Sequence, residues 1–496
     1  MPERPNILFI LSDDHGHWGM GCAGNSEIRT PNLDKLAARG TRFDSAFCAS
    51  PVCSPARMSI FTGKIPSQHG VHDWLAKGHL DEAVLSKELR DAFQQPEPSW
   101  EYAWPKRQLQ GDKAIRFLDG HDTFTRHLAD GGYTCGLSGK WHMGDSYTPQ
   151  AGFTYWKTTA MGGENYYYPV MLEGEEMTLK RGVYITDLIT DNALRFLEEQ
   201  KGAANPFYLS VHYTAPHAPW QREHHPAAFY DLYDGCPFAS VPDVPPHPWS
   251  DLKDKTPEEM AVLRRTYLQG YFAAVTAMDA GIGRILDALE AAGQLSNTLV
   301  IFSGDNGMSM GHHGIFGKGN GTFPMNMYDS AVKVPLIWSH PGRAREGAVC
   351  EELVSHYDLF PTILEWAGLP CTPNPALPGV SFAPLLTGEK SSVRDDVVVF
   401  DEYGPVRMVR TKEWKYIHRY PYGPHELYDL VRDPGEERNL IDDPAAQSVK
   451  ERLIDRLNHW YAAYADPACD GKGEAVHGLG QLRRIGPASG GKPAFI

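Results

Sequence analysis

The chain has 496 residues, with 47 Lys+Arg against 62 Asp+Glu for a net charge of −15, and 42% hydrophobic and 11% aromatic residues. This composition excludes a disordered or fibrous protein, and an acidic balance without a Lys/Arg block argues against phosphate-backbone binding, so no nucleic-acid partner is expected. One domain per roughly 150 residues would give about three, a count that large α/β enzymes often do not reach.

The first residues, MPERPNILFILSDDHG, hold one short apolar run that meets acidic residues at once and read as a buried first strand, without a basic leader or a small-residue cleavage site. No apolar stretch approaches the ~18 residues of a membrane helix. Eight sparse cysteines (22, 48, 53, 135, 236, 350, 371 and 469), without CxxC or Cys/His zinc spacing, suit a reduced compartment. The expectation for this chain is soluble and cytoplasmic with no membrane partner; a leader removed beforehand would make it periplasmic or secreted.

Apolar or β-branched runs at 6–11, 133–137, 207–211, 298–302 and 334–338 alternate with helical patterns and read as buried strands. Thr30-Pro31 followed by NLDKLAARG predicts a helix with an N-cap, proline in its first turn and Gly40 as the stop; 186–200 and 257–292 predict longer helices. The alternation implies an α/β domain over 1–387, a large, mainly parallel sheet covered by helices on both faces. Segments 81–122 and 213–256 interrupt it with Pro, Trp, His and Tyr, and read as long loops over the working face. Beyond 388, the runs DVVVF, VRMVRT, EWKYIHRY and HELYDL read as hairpin strands. Val406 and Met408 against Arg407 and Arg410 suggest an antiparallel sheet with one wet face, and an amphipathic helix follows near 445–464, giving a smaller C-terminal subdomain over 388–496.

Two acidic turns follow two of the strands: Ser12-Asp13-Asp14-His15-Gly16 and Ser303-Gly304-Asp305-Asn306-Gly307. Ligands of α/β sheets bind at the strands' carboxyl ends, and clustered carboxylate and amide oxygens lose water there only if a cation neutralises them, which points to Ca²⁺ or Mg²⁺. Either motif alone also serves as an ordinary cap or turn; together at equivalent strand ends they favour metal. The same edge receives Lys140 and His142 in GKWHMG, His217 in TAPHAP and Lys318 in GIFGKGNG. A metal ringed by two lysines and two histidines suits a tetrahedral oxyanion ester, with the cations holding the anion and a histidine protonating the leaving oxygen. Cys53 supplies a nucleophile: it opens a predicted helix with Arg57 one turn on, a setting that would depress its thiol pKa. For each residue alone the competing role is a solvated loop side chain or a buried structural cysteine.

Cys53-Ser54-Pro55-Ala56-Arg57 matches a Cys-X-Pro-X-Arg signature, Phe61-Thr62-Gly63-Lys64 matches the Leu-Thr-Gly-Arg/Lys that follows it, and PNILFILSDDHG, GKWHMG, APHAP, SGDNG, GKG and RTKEWKYI…ELYDLVRDPGEERNL occur in family order. On these residues the chain resembles the type I sulfatases of the alkaline phosphatase superfamily over most of its length. The resemblance implies an alkaline phosphatase-like fold and hydrolysis of an organic sulfate monoester. It implies that a maturation enzyme converts Cys53 to formylglycine, whose hydrate is the nucleophile. One Ca²⁺ would be bound by Asp13, Asp14, Asp305, Asn306 and the modified residue 53, with Arg57 and Lys64 orienting the hydrate. Lys140 and Lys318 would neutralise sulfate charge and His217 would protonate the departing alcohol. His142 would take a proton from the second hydroxyl, releasing sulfate without water attacking sulfur.

Two departures from the family stand out. Tyr328-Asp329-Ser330-Ala331-Val332-Lys333-Val334-Pro335 occupies the place of Tyr-Glu-Gly-Gly-Ile-Arg-Val-Pro. Gly311-His312-His313-Gly314 is similar to the Gly-Asp/Glu-His-Gly of carbohydrate-directed members and makes His313 a candidate substrate contact. Tyr166, Tyr167, Tyr168, Trp220 and Trp249 are placed either to stack on sugars or to pack loops. The expected substrate is a sulfated glycan or small molecule. Two alternatives are a phosphonate monoester or phosphodiester hydrolase using the same formylglycine, and a noncatalytic sulfoglycan-binding relative whose Cys53 stays a thiol.

Overall fold

The apolar run Asn6–Ser12 (β1) becomes the centre of a sheet because its alternate side chains serve two cores. Ile7, Phe9 and Leu11 point into one, Leu8 and Ile10 into the other, and all five are fully buried. A computed structural model describes residues 4–87, 89–90, 113–174, 176–401, 406–474, 476, 478 and 480–495. In chain order the sheet continues with β2 (Thr41–Phe43), β3 (Thr134–Gly139), β4 (Tyr155–Thr159), β5 (Val170–Glu173), β6 (Glu176–Leu179), β7 (Phe207–His212), β8 (Thr298–Gly304), β9 (Leu336–Ser339) and β10 (Ala348–Cys350). The ten strands run β10-β2-β9-β8-β1-β7-β3-β4-β5-β6. From β8 to β4 all neighbours are parallel, whereas β5, β6 and β9 run antiparallel to theirs, so the sheet is mixed. The predicted strand at 334–338 is present as Leu336–Ser339 and runs antiparallel to both of its neighbours.

Helices cover both faces. One carries α1 (Pro31–Ala38), α3 (Ile185–Glu199) and α4 (Pro257–Ala291), whose Leu33, Ile189, Phe196, Met278 and Ile282 pack on Leu8, Ile10, Val300 and Phe302. The other carries α2 (Cys53–Thr62), every residue of which is buried. Each large aliphatic or aromatic side chain so enclosed contributes about 1.5–3 kcal/mol of transfer free energy. Among the described residues no helix is long and apolar enough to cross a membrane. The loop at 213–256 is present, broken only by short helical turns such as Ala227–Tyr230; most of the loop expected at 81–122 lies outside the described residues.

The C-terminal strands β11 (Val397–Asp401), β12 (Val406–Arg410), β13 (Trp414–Arg419) and β14 (Glu426–Asp429) form an antiparallel meander followed by α5 (Gln447–Tyr464). The expected wet face is absent here. Val397, Val399, Met408 and Ile417 join the core beneath the α/β sheet, while Val398, Phe400, Val409 and Leu427 pack under Leu453, Leu457 and Tyr461 of α5. Both arginines are buried too: Arg407 pairs with Asp470 and lies 3.5 Å from the Tyr461 ring centroid, and Arg410 reaches Asp329 at 3.4 Å. Each face carries both kinds of side chain, Arg407 with Val409 on one and Arg410 with Val406 and Met408 on the other, and both faces are enclosed. Arg407→Ala is expected to lower unfolding free energy by about 3 kcal/mol in urea titration, because Asp470 loses its buried partner.

Candidate active site

Register builds the site. Ser12 pairs with Gly304, Leu11 with His212 and Gly139 with His212, so four neighbouring strands end together and release Asp13, Asp305, Lys140 and the loop to His217 at one edge. Backbone bonds fix these exits: Asp305 N donates to Ser12 O (3.0 Å) and Asp13 N to Ala215 O (3.1 Å). Gly139 has φ +110°, and a Cβ there would overlap the His212 carbonyl, so only glycine lets β3 turn toward the centre.

Three buried carboxylates and an amide then converge. Asp14 (φ 60°) donates its N–H to Asp305 Oδ1 at 3.1 Å, and its Oδ1 accepts from Asn306 Nδ2 (2.8 Å) and Lys318 Nζ (2.5 Å). Asp13 Oδ2 accepts from Lys140 Nζ at 2.6 Å. Arg57, wholly buried, donates through Nε to Asp305 Oδ2 and through Nη1 to the Lys140 carbonyl, each at 2.9 Å. Burial works against the Lys318 charge, but Asp14 and the neighbouring anionic groups outweigh it and hold that ammonium well above its usual range.

The donor set fits a hard cation. Asp13 Oδ1 and Asn306 Oδ1 are buried without a hydrogen-bond donor, and one ligand atom each from Asp13, Asp14 and Cys53 lie within 4.8 Å of one another. Cys53 sits in the first turn of α2, 2% exposed, with Sγ 3.1 Å from Lys318 Nζ. Its thiol is not activated as the helix end and Arg57 suggested. Burial pushes it up to about 12, more than Lys140 and Lys318 pull it down.

Both histidines are oriented by carbonyls, which can only accept. His217 Nδ1 donates to Ala218 O (2.8 Å), leaving Nε2 to face Asp14 Oδ2 at 3.6 Å. His142 Nε2 donates to Leu75 O (3.2 Å), leaving Nδ1 buried without a partner.

The sulfatase family model matches residues 5–369, and the C-terminal model of N-sulphoglucosamine sulphohydrolase matches 311–463. The chain belongs to the sulfatase family. A Bacteroides thetaiotaomicron N-acetylglucosamine-6-O-sulfatase is 27% identical over 95% of this chain and 88% of its own length. A Formosa agariphila ulvan-active sulfatase is 26% identical over 94% and 82%. A protein solved in complex with its substrate D-glucosamine-2-N,6-O-disulfate superposes with a TM-score of 0.74 at 26% identity, covering 94% of this chain and 99% of the other. The fold is the alkaline phosphatase-like one, the enzyme is a sulfuric ester hydrolase, and its family generally depends on formylglycine and a metal.

Not every residue singled out from the sequence lies at this sulfatase's centre. Lys64 does not orient residue 53: the ten residues of α2 separate them by on the order of 15 Å, and Lys64 Nζ instead meets His121 Nδ1 at 2.9 Å. His313 stacks on Tyr328 (centroids 3.7 Å, interplanar 11°), in a wall with His247 and Trp249. Tyr166 and Trp220 are buried and work from behind, donating to the His217 and Pro216 carbonyls at 2.8 Å each; Trp249 is half-buried under the Arg419 guanidinium. Three residues went unread in the sequence: His79, its ring 5.3 Å from His142 and also donating to Leu75 O; Leu75 itself; and Gly162, which lies against the His142 ring. None sits in a motif with a chemical signature.

Proposed function

We propose that this sulfatase removes a sulfate ester from a carbohydrate, with Cys53 converted to formylglycine and one Ca²⁺ held by Asp13, Asp14, Asp305, Asn306 and residue 53. The observation that carries the reading is the position of residue 53, enclosed at a helix start with Sγ 3.1 Å from Lys318 Nζ and one ligand atom within 4.8 Å of those of Asp13 and Asp14. When present, the hydrated aldehyde supplies two hydroxyls on one carbon and the cation polarises them and a sulfate oxygen.

The chain's own groups do the rest. Lys140 and Lys318 bring two buried ammoniums to the sulfate oxygens, exchanging part of their contact with Asp13 and Asp14 for the substrate. Arg57, anchored on Asp305, holds residue 53 in register with the carboxylates. His217 delivers a proton from Nε2 to the departing alcohol, its ring fixed through Nδ1. His142 accepts a proton at Nδ1 in the second half of turnover, which frees sulfate. The carbohydrate assignment is supported by the substrates named for the relatives and by the polar aromatic wall of His247, Trp249, Tyr328 and His313.

Matured protein is expected to desulfate members of a sulfated-glycan library and to turn over nitrophenyl sulfate far faster than the matching phosphodiester or phosphonate. Diester or phosphonate turnover higher by orders of magnitude would sink the reading, and a thiol at position 53 by peptide mass spectrometry, in protein from a host with an active maturation enzyme, would favour a binding protein. Dialysis against EGTA is expected to remove activity and to lower Tm, with both restored by Ca²⁺; occupancy at 100 times Kd adds about 2.7 kcal/mol of stability.

A further inference from the structure

The Leu75 peptide lies where three parts of the molecule meet. Its N–H donates to Ser54 Oγ at 3.1 Å, beside the nucleophile position. Its carbonyl accepts from Nε2 of both His142 (3.2 Å) and His79 (2.8 Å). One peptide unit therefore sets the tautomer of His142 and ties it to the start of α2.

What holds this peptide comes from far along the chain. Residues 480–485 follow α5 and lie outside both family models, whose matches end at 369 and 463. Gln481 N donates to Trp74 O (2.8 Å) and Ala76 N donates to Gln481 O (2.9 Å), a parallel bridge astride Leu75. The Gln481 side chain is wholly buried and saturated: Oε1 accepts from His72 N (2.8 Å) and Asp73 N (3.3 Å), and Nε2 donates to Gly70 O and Arg483 O at 2.9 Å each. Gly480 N adds a bond to Asp73 Oδ2 at 2.9 Å, and its φ of +111° lets the backbone come against Ala76 and Trp74. Every backbone group on the 70–76 loop that this segment binds flanks Leu75, and none is Leu75's own.

We infer that Gln481 is a positioning residue for His142: by clamping the 70–76 loop it keeps the Leu75 carbonyl aimed at Nε2 and so keeps Nδ1 as the unprotonated, accepting nitrogen. This rests on the reading of His142 as the proton acceptor of the second half of turnover. Released from the clamp, the Leu75 carbonyl can rotate, and His142 loses its fixed tautomer without any change at Lys140, Lys318 or His217.

The test uses the matured full chain, an aryl sulfate and rapid mixing. Gln481→Met keeps the volume and the backbone bridge but removes the four side-chain bonds. It is expected to lower steady-state kcat about tenfold with KM falling in step, so that kcat/KM is unchanged, while the first-turnover burst of phenol, which precedes the action of His142, keeps its rate. In a His142→Ala background the same change should cost nothing further. Equal loss of burst and steady state, a folded variant with unchanged kcat, or full additivity with His142→Ala would each overturn the inference. Should the methionine variant not fold, Gln481→Asn, which keeps a neutral amide and shortens its reach, carries the same expected split at smaller size. Failure of the underlying reading shows separately, as undiminished turnover in His142→Ala alone.

Discussion

Cys53→Ala is expected to reduce sulfate release by about 10⁵–10⁶-fold while leaving the protein folded. The side chain is small and enclosed, so its removal leaves α2, the carboxylates and both lysines in place; what vanishes is the side chain proposed to attack sulfur. Unconverted wild-type protein should be nearly as inactive, since a thiol lacks the two hydroxyls on one carbon that the proposed turnover uses. Nitrophenyl sulfate turnover, Tm and peptide mass across 50–57 together check the three statements. Activity retained in the alanine variant would remove residue 53 from the mechanism.

Gly162→Ala should have the next largest effect, about 10²–10³-fold in kcat. A Cβ at 162 would overlap Nε2, Cδ2 and Cε1 of His142, whose backbone is already in the left-handed region at φ 55° and whose Nε2 is committed to Leu75 O. The ring has no room to yield and must leave, taking Nδ1 with it. The pH profile gives a second readout. Burial, reinforced by Lys140, holds the His142 pKa well below 6.5, so the neutral, proton-accepting form persists on acidification and wild-type kcat should show no His142 limb near pH 6.5. An expelled, hydrated ring regains its ordinary pKa, and the variant's residual activity should fall as pH drops through about 6.5. A variant that keeps wild-type kcat would show that His142 is not needed where it stands.

Much of this architecture is written in local patterns. The strands at 6–12, 207–212 and 298–304 announce themselves because each is apolar on both faces, and the acidic turns after two of them are legible because strand ends share an edge. Lys64 was misplaced because a sequence motif carries no axis: eleven positions after Cys53 is near in sequence and a whole helix away in space. Arg407 and Arg410 looked solvated because charge in a strand ordinarily marks a wet face; three positions apart they lie on opposite faces, and nothing local discloses that α5 and the catalytic core close over both. Leu75 and Gln481 were beyond reach for another reason. They act through backbone groups and an amide 406 positions apart, and backbone contacts leave no trace in residue type.

The enclosure of residue 53 also sets an order of events in biosynthesis. At 2% exposure, on a helix with no exposed residue and behind Lys318, the side chain offers a modifying enzyme no approach once α2 has docked. Under the conversion proposed for Cys53, modification is expected to precede docking, while the segment around Ser50–Arg57 is not yet packed. Maturation and folding then race for the same stretch of chain, and sequence changes that speed the packing of α2 would lower the fraction of active molecules without touching the active site.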